Sequence, residues 1–526
     1  MASEKSAIFS RTSAKRLTNY KIPHPFGIRN DKTRGWSCHS ERNEVERGIS
    51  MNMDMNNYFS GVAVPIFSLR SEESCGIGEF LDLKKLADWC VATGLKLIQI
   101  LPINDTTTDG GWGDSYPYKS ISTKALHPIY LNVEKVGKLK DKNDIKRFQE
   151  LKKELNAKEF VDYPEVFKTK MWYLRKIYDQ KREKKTDFYD FLQQHCDKQL
   201  SEAVDYLHSK GIMLKGDLPI GVNRESDDVK NNPHLFNLNM ETGAPPDGFA
   251  PQGQNWGFPT YNWAAMEAEN FQWWKERVAW FKKYFDALRI DHILGFFRIW
   301  EIPKGCPDAS FGHYSPENPK LWEIEGRKRL KTIFELTAKD HEIPRCARND
   351  GLLICGEDLG MVAPCVPGVM RELGILSLEV QRMPKNSNRP FSDPRENPYL
   401  SVDTTGTHDM PTIRGWWEQD REISARFYHE MLKHTDNPPY FCEPWLCQEI
   451  VEQHMNSSSQ WVILPIQDYI AMDGDFRWNN TWGEQINEPS DPKWRWKYRM
   501  HQSIESLLKN KNLTKMLKNM VKKYNR

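Results

Sequence analysis

Four apolar runs in this 526-residue chain end in acids. "IMLKGDLPI" delivers Asp217, "DALRID" delivers Asp291, "LLICGEDLG" delivers Glu357 and Asp358, and "SVDTTGTHDMPT" delivers Asp403, His408 and Asp409. Runs of this kind read as buried strands. A single acid after a strand serves about as often to cap the next helix. Capping, however, does not call for Arg289 near Asp291 or His408 beside Asp409. Carboxylates that converge without metal-ligand spacing suggest glycoside chemistry, in which one carboxyl acts as nucleophile or base and another as acid. Asp291 is the better nucleophile. Arg289 lies two residues earlier and shares its strand face, where a guanidinium favours and orients the ionised carboxylate. Glu357 is the better acid, because it follows an apolar strand and neighbouring carboxylates make its ionisation harder. Asp409 and His408 are suited to holding sugar hydroxyls. His292 falls on the opposite face by strand alternation and reads as structural.

Such residues need a scaffold that gathers distant strand ends. A helix–glycine–strand phrase recurs along the chain. "FLDLKKLADWCVATG" precedes "LKLIQILPI", "QLSEAVDYLHSKG" precedes "IMLKGDLPI", and "VPGVMRELG" precedes "ILSLEVQRM". This alternation with buried-type strands predicts an α/β fold with a parallel sheet. No glycine-rich phosphate loop follows a strand, so a (β/α)8 TIM barrel fits better than a doubly wound sheet. In a barrel the strand ends share one mouth, where the four acids can meet. Two insertions interrupt the pattern. Residues of about 138–198 are charged and helical, an inserted helical subdomain. Residues of about 243–263, "GAPPDGFAPQGQNWGFPTYNW", carry too much Pro, Gly and aromatic character for a helix or strand and read as a long functional loop. Residues 1–56 are polar and aperiodic, and read as a disordered extension or as residues ahead of an over-called start codon. The catalytic barrel is expected over 57–526, and "HEIPRCARNDG" reads as a loop within it.

Composition narrows the function class. The net charge of +2 gives no global field for nucleic acid or an anionic membrane. The 19 Trp are rich for a chain of this kind; most belong to a core, yet flat aromatic faces also suit sugar rings. The ten Cys show no metal-site spacing and read as reduced thiols. No run is long enough to span a bilayer, and the N-terminal residues lack the apolar middle of a signal peptide. A cytoplasmic enzyme with no metal and no nucleic-acid or membrane partner is expected.

The same stretches resemble a known family. "LKGDLPIGV", "GAPPD", "GQNWGFPTYNW", "RIDHILGFFRIWEIP", "CGEDLG", "THDMPTIRGWW" and "EQINEPSDPKWRWKYRMH" follow in order from about Tyr58 onward. Together they resemble the 4-α-glucanotransferases (amylomaltases, or disproportionating enzymes) of glycoside hydrolase family 77, on the branch with the plant cytosolic enzyme. The resemblance implies a (β/α)8 barrel with inserted subdomains and chemistry without an organic cofactor. It implies Asp291 as nucleophile, Glu357 as general acid/base and Asp409 as the carboxylate that binds and distorts the sugar. It further implies that Tyr118, Asp217, Arg289 and His408 line the donor subsite and that Trp256 forms the acceptor side. The substrates implied are malto-oligosaccharides, with glycogen or other glucans among the candidate acceptors. Reaction by double displacement would place the two reacting carboxyls about 5–5.5 Å apart. The chain departs from the family at Gly248 after "GAPPD", in a short helical insert, and in a short segment between nucleophile and acid. Two other readings use the same residues: an α-glucan hydrolase, and an inactive glucan-binding scaffold.

Overall fold

A computed structural model describes residues 58–181, 186–248, 250–336, 352–386, 388–491 and 493–526. The extension expected over residues 1–56 and the "HEIPRCARNDG" stretch lie outside the described residues.

Eight parallel strands form one sheet: β1 (Phe59–Ala63), β2 (Leu97–Gln99), β3 (Met213–Leu218), β4 (Ala287–Ile290), β5 (Leu353–Gly356), β6 (Ser377–Val380), β7 (Ser401–Thr404) and β8 (Trp461–Pro465). Each pairs with its neighbours in chain order, and β8 returns to pair with β1. The last gap, between β5 and β6, is bridged by Gly356 N–H to Leu376 O at 2.8 Å and Leu376 N–H to Ile354 O at 2.9 Å. The sheet is therefore a barrel, as the recurring helix–strand phrase predicts. The phrase itself supplies the cause. The helix Asp82–Thr93 buries Leu83, Leu86, Ala87 and Cys90, then stops at Gly94, whose φ of 88° few other residues adopt readily.

Strand alternation sorts the side chains. Phe59, Leu97, Met213, Ala287, Leu353 and Trp461 belong to a compact apolar cluster that fills the barrel. The neighbouring positions on the strands face the surrounding helices, where Leu214, Leu288 and Ile354 join the larger core. Two residues on from Met213, Ala287 and Leu353 come Lys215, Arg289 and Cys355, and two further on come Asp217, Asp291 and Glu357. The inward columns thus change from apolar to charged as they reach the C-terminal mouth.

Two insertions flank this mouth. Helices Lys142–Ala157 and Tyr163–Asp179 pack on each other, whereas Phe188–Ser209 is a single helix leading into β3 and is part of the barrel's own helical layer. The stretch read from sequence as an irregular loop over about 243–263 contains regular pairing. Met240–Ala244 joins Gln254–Asn255 on one side and Ile299–Pro303 on the other, with His313–Ser315 outermost, in a four-stranded antiparallel flap. Among the described residues, no helix is long and apolar enough to cross a membrane.

Candidate active site

Arg289 is the hub of the mouth. Register places it opposite Asp217 on β3 and Cys355 on β5. Its Nη1 donates to both Asp217 oxygens, at 2.8 and 2.9 Å, and to Asp291 Oδ1 at 3.1 Å. Its Nη2 lies 3.8 Å from Glu357 Oε2. One buried guanidinium therefore faces three carboxyls from three strand ends. Burial alone would lower its pKa, but Asp217, Asp291 and Glu357 outweigh that and hold the cation charged. The Asp217 carboxyl is pushed up by burial and pulled back by Arg289 and by the Tyr118 hydroxyl.

Glu357 behaves differently. Burial raises its carboxyl to about 8; Arg289 pulls it down, while Asp291 and Asp409 push it up. It keeps its proton at neutral pH. Its oxygens accept from His292 N–H at 2.7 Å and Leu359 N–H at 3.3 Å. His292 makes this possible because the chain leaves strand geometry after Ile290. With φ 42° and ψ 57°, His292 is left-handed, so its amide turns toward Glu357 while Asp291 stays at the mouth. Strand alternation does not reach His292, because the strand ends at Ile290. Burial pushes its imidazole down to about 4, so it is neutral at pH 7. Its ring meets the edge of Trp256, with centroids 5.0 Å apart and planes at 78°.

The third group gathers on the β7 side. Tyr118 OH donates to Asp217 Oδ2 at 2.6 Å and lies 3.0 Å from His408 Nε2, with the two rings stacked at 5.3 Å. Burial and the adjacent Asp217 hold the Tyr118 phenol well above its usual value, so it remains a donor. His408 Nε2 is 3.3 Å from Asp409 Oδ2, and Asn487 Nδ2 donates to Asp409 Oδ1 at 2.6 Å. Asn487 also ties its own N–H to His408 O at 3.1 Å.

The structure thus joins Asp217, Arg289, Asp291, Glu357, Tyr118, His408 and Asp409 in one hydrogen-bonded and charged network. Trp256 meets it through His292. Two strand-end acids are elsewhere. Asp358 accepts from Leu378 N–H at 2.9 Å and pairs with Lys385 at 2.7 Å. Asp403 faces the helical layer and pairs with His454 Nδ1 at 2.8 Å. Sequence reasoning passed over Asn487, Trp496 and Tyr116. Trp496 lies 5.8 Å from His408 and 6.1 Å from Tyr118, and Tyr116 packs on Trp496 at 5.5 Å. All three sit in stretches without strand periodicity. The Asn and Trp belong to the "EQINEPSDPKWRW" phrase, which carries the resemblance but no assigned role.

A carboxyl raised by burial, two more carboxyls on a shared cation, and neighbouring hydroxyl and amide groups can protonate one oxygen, attack an adjacent carbon and grip a polyhydroxylated ring. Comparison with known proteins identifies the family. The 4-alpha-glucanotransferase model of glycoside hydrolase family 77 matches residues 64–187 and 178–504. The chain is 32% identical to 4-alpha-glucanotransferase DPE2 of Oryza sativa subsp. japonica, over 88% of this chain and 69% of that protein. It is 29% identical to the 4-alpha-glucanotransferase of Chlamydia pneumoniae, over 85% of this chain and 92% of that one. An amylomaltase from Streptococcus agalactiae, solved in complex with acarbose, superposes with a TM-score of 0.70 at 23% identity, covering 89% of this chain and 99% of its own. The amylomaltase from Corynebacterium glutamicum also superposes with a TM-score of 0.70, at 20% identity, covering 89% and 75%. At these identities the structural likeness bears on the fold, which is the same barrel.

Proposed function

The chain belongs to the 4-alpha-glucanotransferases of glycoside hydrolase family 77, and from that premise we propose how its residues carry the transfer. Asp291 attacks the anomeric carbon of a bound malto-oligosaccharide while Glu357 gives its proton to the departing glycosidic oxygen. The shortened glucan leaves and its sugar remains esterified to Asp291. Glu357, now a carboxylate, takes the proton from the 4-hydroxyl of an acceptor. That oxygen attacks the same carbon, the ester breaks and the α-configuration is retained. Arg289 orients Asp291 and Asp217, and Asp217, Tyr118, His408 and Asp409 hold the donor ring. Trp256, at the edge of the flap, forms the acceptor side and helps to exclude water, which transfer must outcompete. Donors are maltose and longer oligosaccharides, and acceptors are glucose or glucan ends, glycogen among them. Eight cysteines are free thiols among the described residues, which supports a reducing, cytoplasmic setting.

The carrying observation is the set of three strand-end carboxyls on Arg289, of which Glu357 stands furthest from the cation, with its carboxyl raised to about 8 by burial. Pure maltotriose tests the reading. A ladder of longer oligosaccharides together with glucose is expected. Shorter products alone would assign a hydrolase, and binding without turnover an inactive scaffold. Asp291→Ala is expected to abolish the ladder while leaving the melting temperature close to that of the parent. A parent-like ladder from that variant would remove Asp291 from the nucleophile's role.

A further inference from the structure

We propose that the rim of the catalytic face carries a second, non-catalytic glucan-binding platform built from Tyr440, Phe441, Trp445 and Trp482, which holds the distant part of a polymeric α-1,4-glucan. The proposal rests on the glucanotransferase reading above and adds the length class of the substrate.

Placement follows from barrel direction. Helix Pro444–Met455 descends to the start of β8, so its first turn and the loop before it lie at the end where the strands finish. The segment carrying Trp482 follows the far end of β8, on the same face, and five residues later Asn487 binds Asp409. The rim is therefore continuous with the Asp409 side of the catalytic centre.

Exposure singles this region out. Tyr440 is 64% exposed, Phe441 54%, Trp482 51% and Trp445 42%. Elsewhere among the described residues, the exposed large aromatics are Tyr58 and Phe311. Leaving four such rings in water forgoes burial that would stabilise the fold, and Tyr440 and Phe441 lie together with ring centres 4.9 Å apart; exposed apolar surface of this kind marks a binding surface.

The segments that carry the rings are also tied down. Arg421 donates to the Pro439 and Tyr440 carbonyls, each at 2.9 Å, and its guanidinium lies 5.2 Å from the Tyr440 ring centre. Arg477 donates to the Cys442 carbonyl at 2.6 Å, which ties the two loops together. Buried Arg414 donates to the Trp478 carbonyl at 2.8 Å, to Thr481 Oγ1 at 3.0 Å and to Glu484 Oε1 at 2.7 Å, fixing the turn that presents Trp482. Guanidinium groups thus take main-chain carbonyls that water would otherwise hydrate. A pre-ordered surface loses little entropy on binding. Flat rings interleaved with arginines match a glucan, whose sugars offer apolar ring faces and hydroxyl edges.

Two variants test this, Tyr440→Ala/Phe441→Ala and Trp445→Ala. Migration in native gels with and without glycogen reads polymer binding, and initial rates read turnover of maltotriose and of maltose with glycogen as acceptor. Loss of two stacking rings should weaken glycogen retardation and raise the KM for glycogen about tenfold, with maltotriose turnover unchanged. Parent-like retardation and KM in both variants would overturn the platform. So would a loss of maltotriose turnover in step with glycogen, or a changed oligomeric mass in sedimentation, which would assign the face to self-association. If the parent retards on glycogen but never disproportionates maltotriose, the transferase reading fails and the platform stands.

Discussion

Asp217, Asp291 and Glu357 share one buried cation, and three carboxylates on one guanidinium cannot all shed their desolvation cost. Asp217 takes two of the Arg289 hydrogen bonds and Asp291 takes one, while Glu357 stands 3.8 Å off. Glu357 has the weakest share of the cation, and its carboxyl is raised by burial, which suits it to act as the acid. Burial holds Glu357 near 8, so the alkaline limb of kcat/KM for maltotriose should fall through about pH 8. With α-maltosyl fluoride, whose leaving group needs no proton, that limb should vanish from the first step. A maltotriose profile flat to pH 9.5 or so would refute the assignment of the acid. Stability has a linked sign. The folded chain keeps a proton that an ordinary glutamate, near 4.5, releases on unfolding, so this site costs stability as pH rises from about 4.5 to about 8. Glu357→Gln should therefore gain on the parent in urea melts at pH 8.5 and lose that advantage at pH 4, as roughly expected for a function–stability conflict. An equal difference at both pH values would contradict this.

At the scale of elements, the turn after β4 and the flap do most to shape the mouth. Left-handed geometry at His292 lets consecutive residues serve two carboxyls: Asp291 presents its own, and the His292 amide binds that of Glu357. The flap brings Trp256 to the edge of the His292 ring. Its pairing depends on Gly243, which lies between Asn255 and Trp300 in adjacent strands. A Cβ there would run into the Gln254 carbonyl oxygen, with Ile302 also in the way at 2.7 Å. Gly243→Ala should displace the Gln254–Asn255 strand and loosen the cover over the acceptor. The expected result is an increased share of hydrolysis over transfer, about tenfold if Trp256 is lost from the site, with the Tm lowered only slightly. Product ratios from maltotriose, read by chromatography, decide it; an unchanged ratio would show that the flap does not govern water access.

For the whole molecule, the barrel must stay closed for residues as distant as Tyr118 and Asn487 to meet at His408. Docking of its helical insertion rests on a buried ion pair. Lys170, on the inserted helix Tyr163–Asp179, lies 2.7 Å from Glu79, and both are at most 2% exposed. Lys170 also donates to the Ile129 and Leu131 carbonyls at 2.8 and 2.9 Å, and Asn132 donates to Glu79 at 2.8 Å. Breaking such a pair from one side strands a charge. Lys170→Met should cost about 3–5 kcal/mol in denaturant unfolding, and adding Glu79→Gln should restore part of it. Additive losses would show that the two do not act as a pair.

Much of this was legible along the chain because barrel strands are local objects. Apolar runs closed by Asp217, Asp291 and Glu357 show period and polarity without reference to neighbours, and Arg289 shares the Asp291 face by alternation alone. The motif order from "LKGDLPIGV" to "THDMPTIRGWW" identifies the family for the same reason. Alternation does not say which strand face is inward, so the strand pattern alone offers Asp358 and Asp403 beside Glu357 and Asp409 as strand-end acids. Closure decides that, by burying one column of side chains and giving the other to the helices. The flap escaped detection because its strands are two to five residues long and pair across some sixty residues of sequence. Asn487 and Trp496 lie outside any strand phrase, and only the return of the chain after β8 sets them against His408 and Asp409. The sequence by itself determined the barrel, the family and the acids available for catalysis. The tertiary structure decided which acids share Arg289 and how far burial raises Glu357, since both depend on distances and burial that exist only once the barrel has closed.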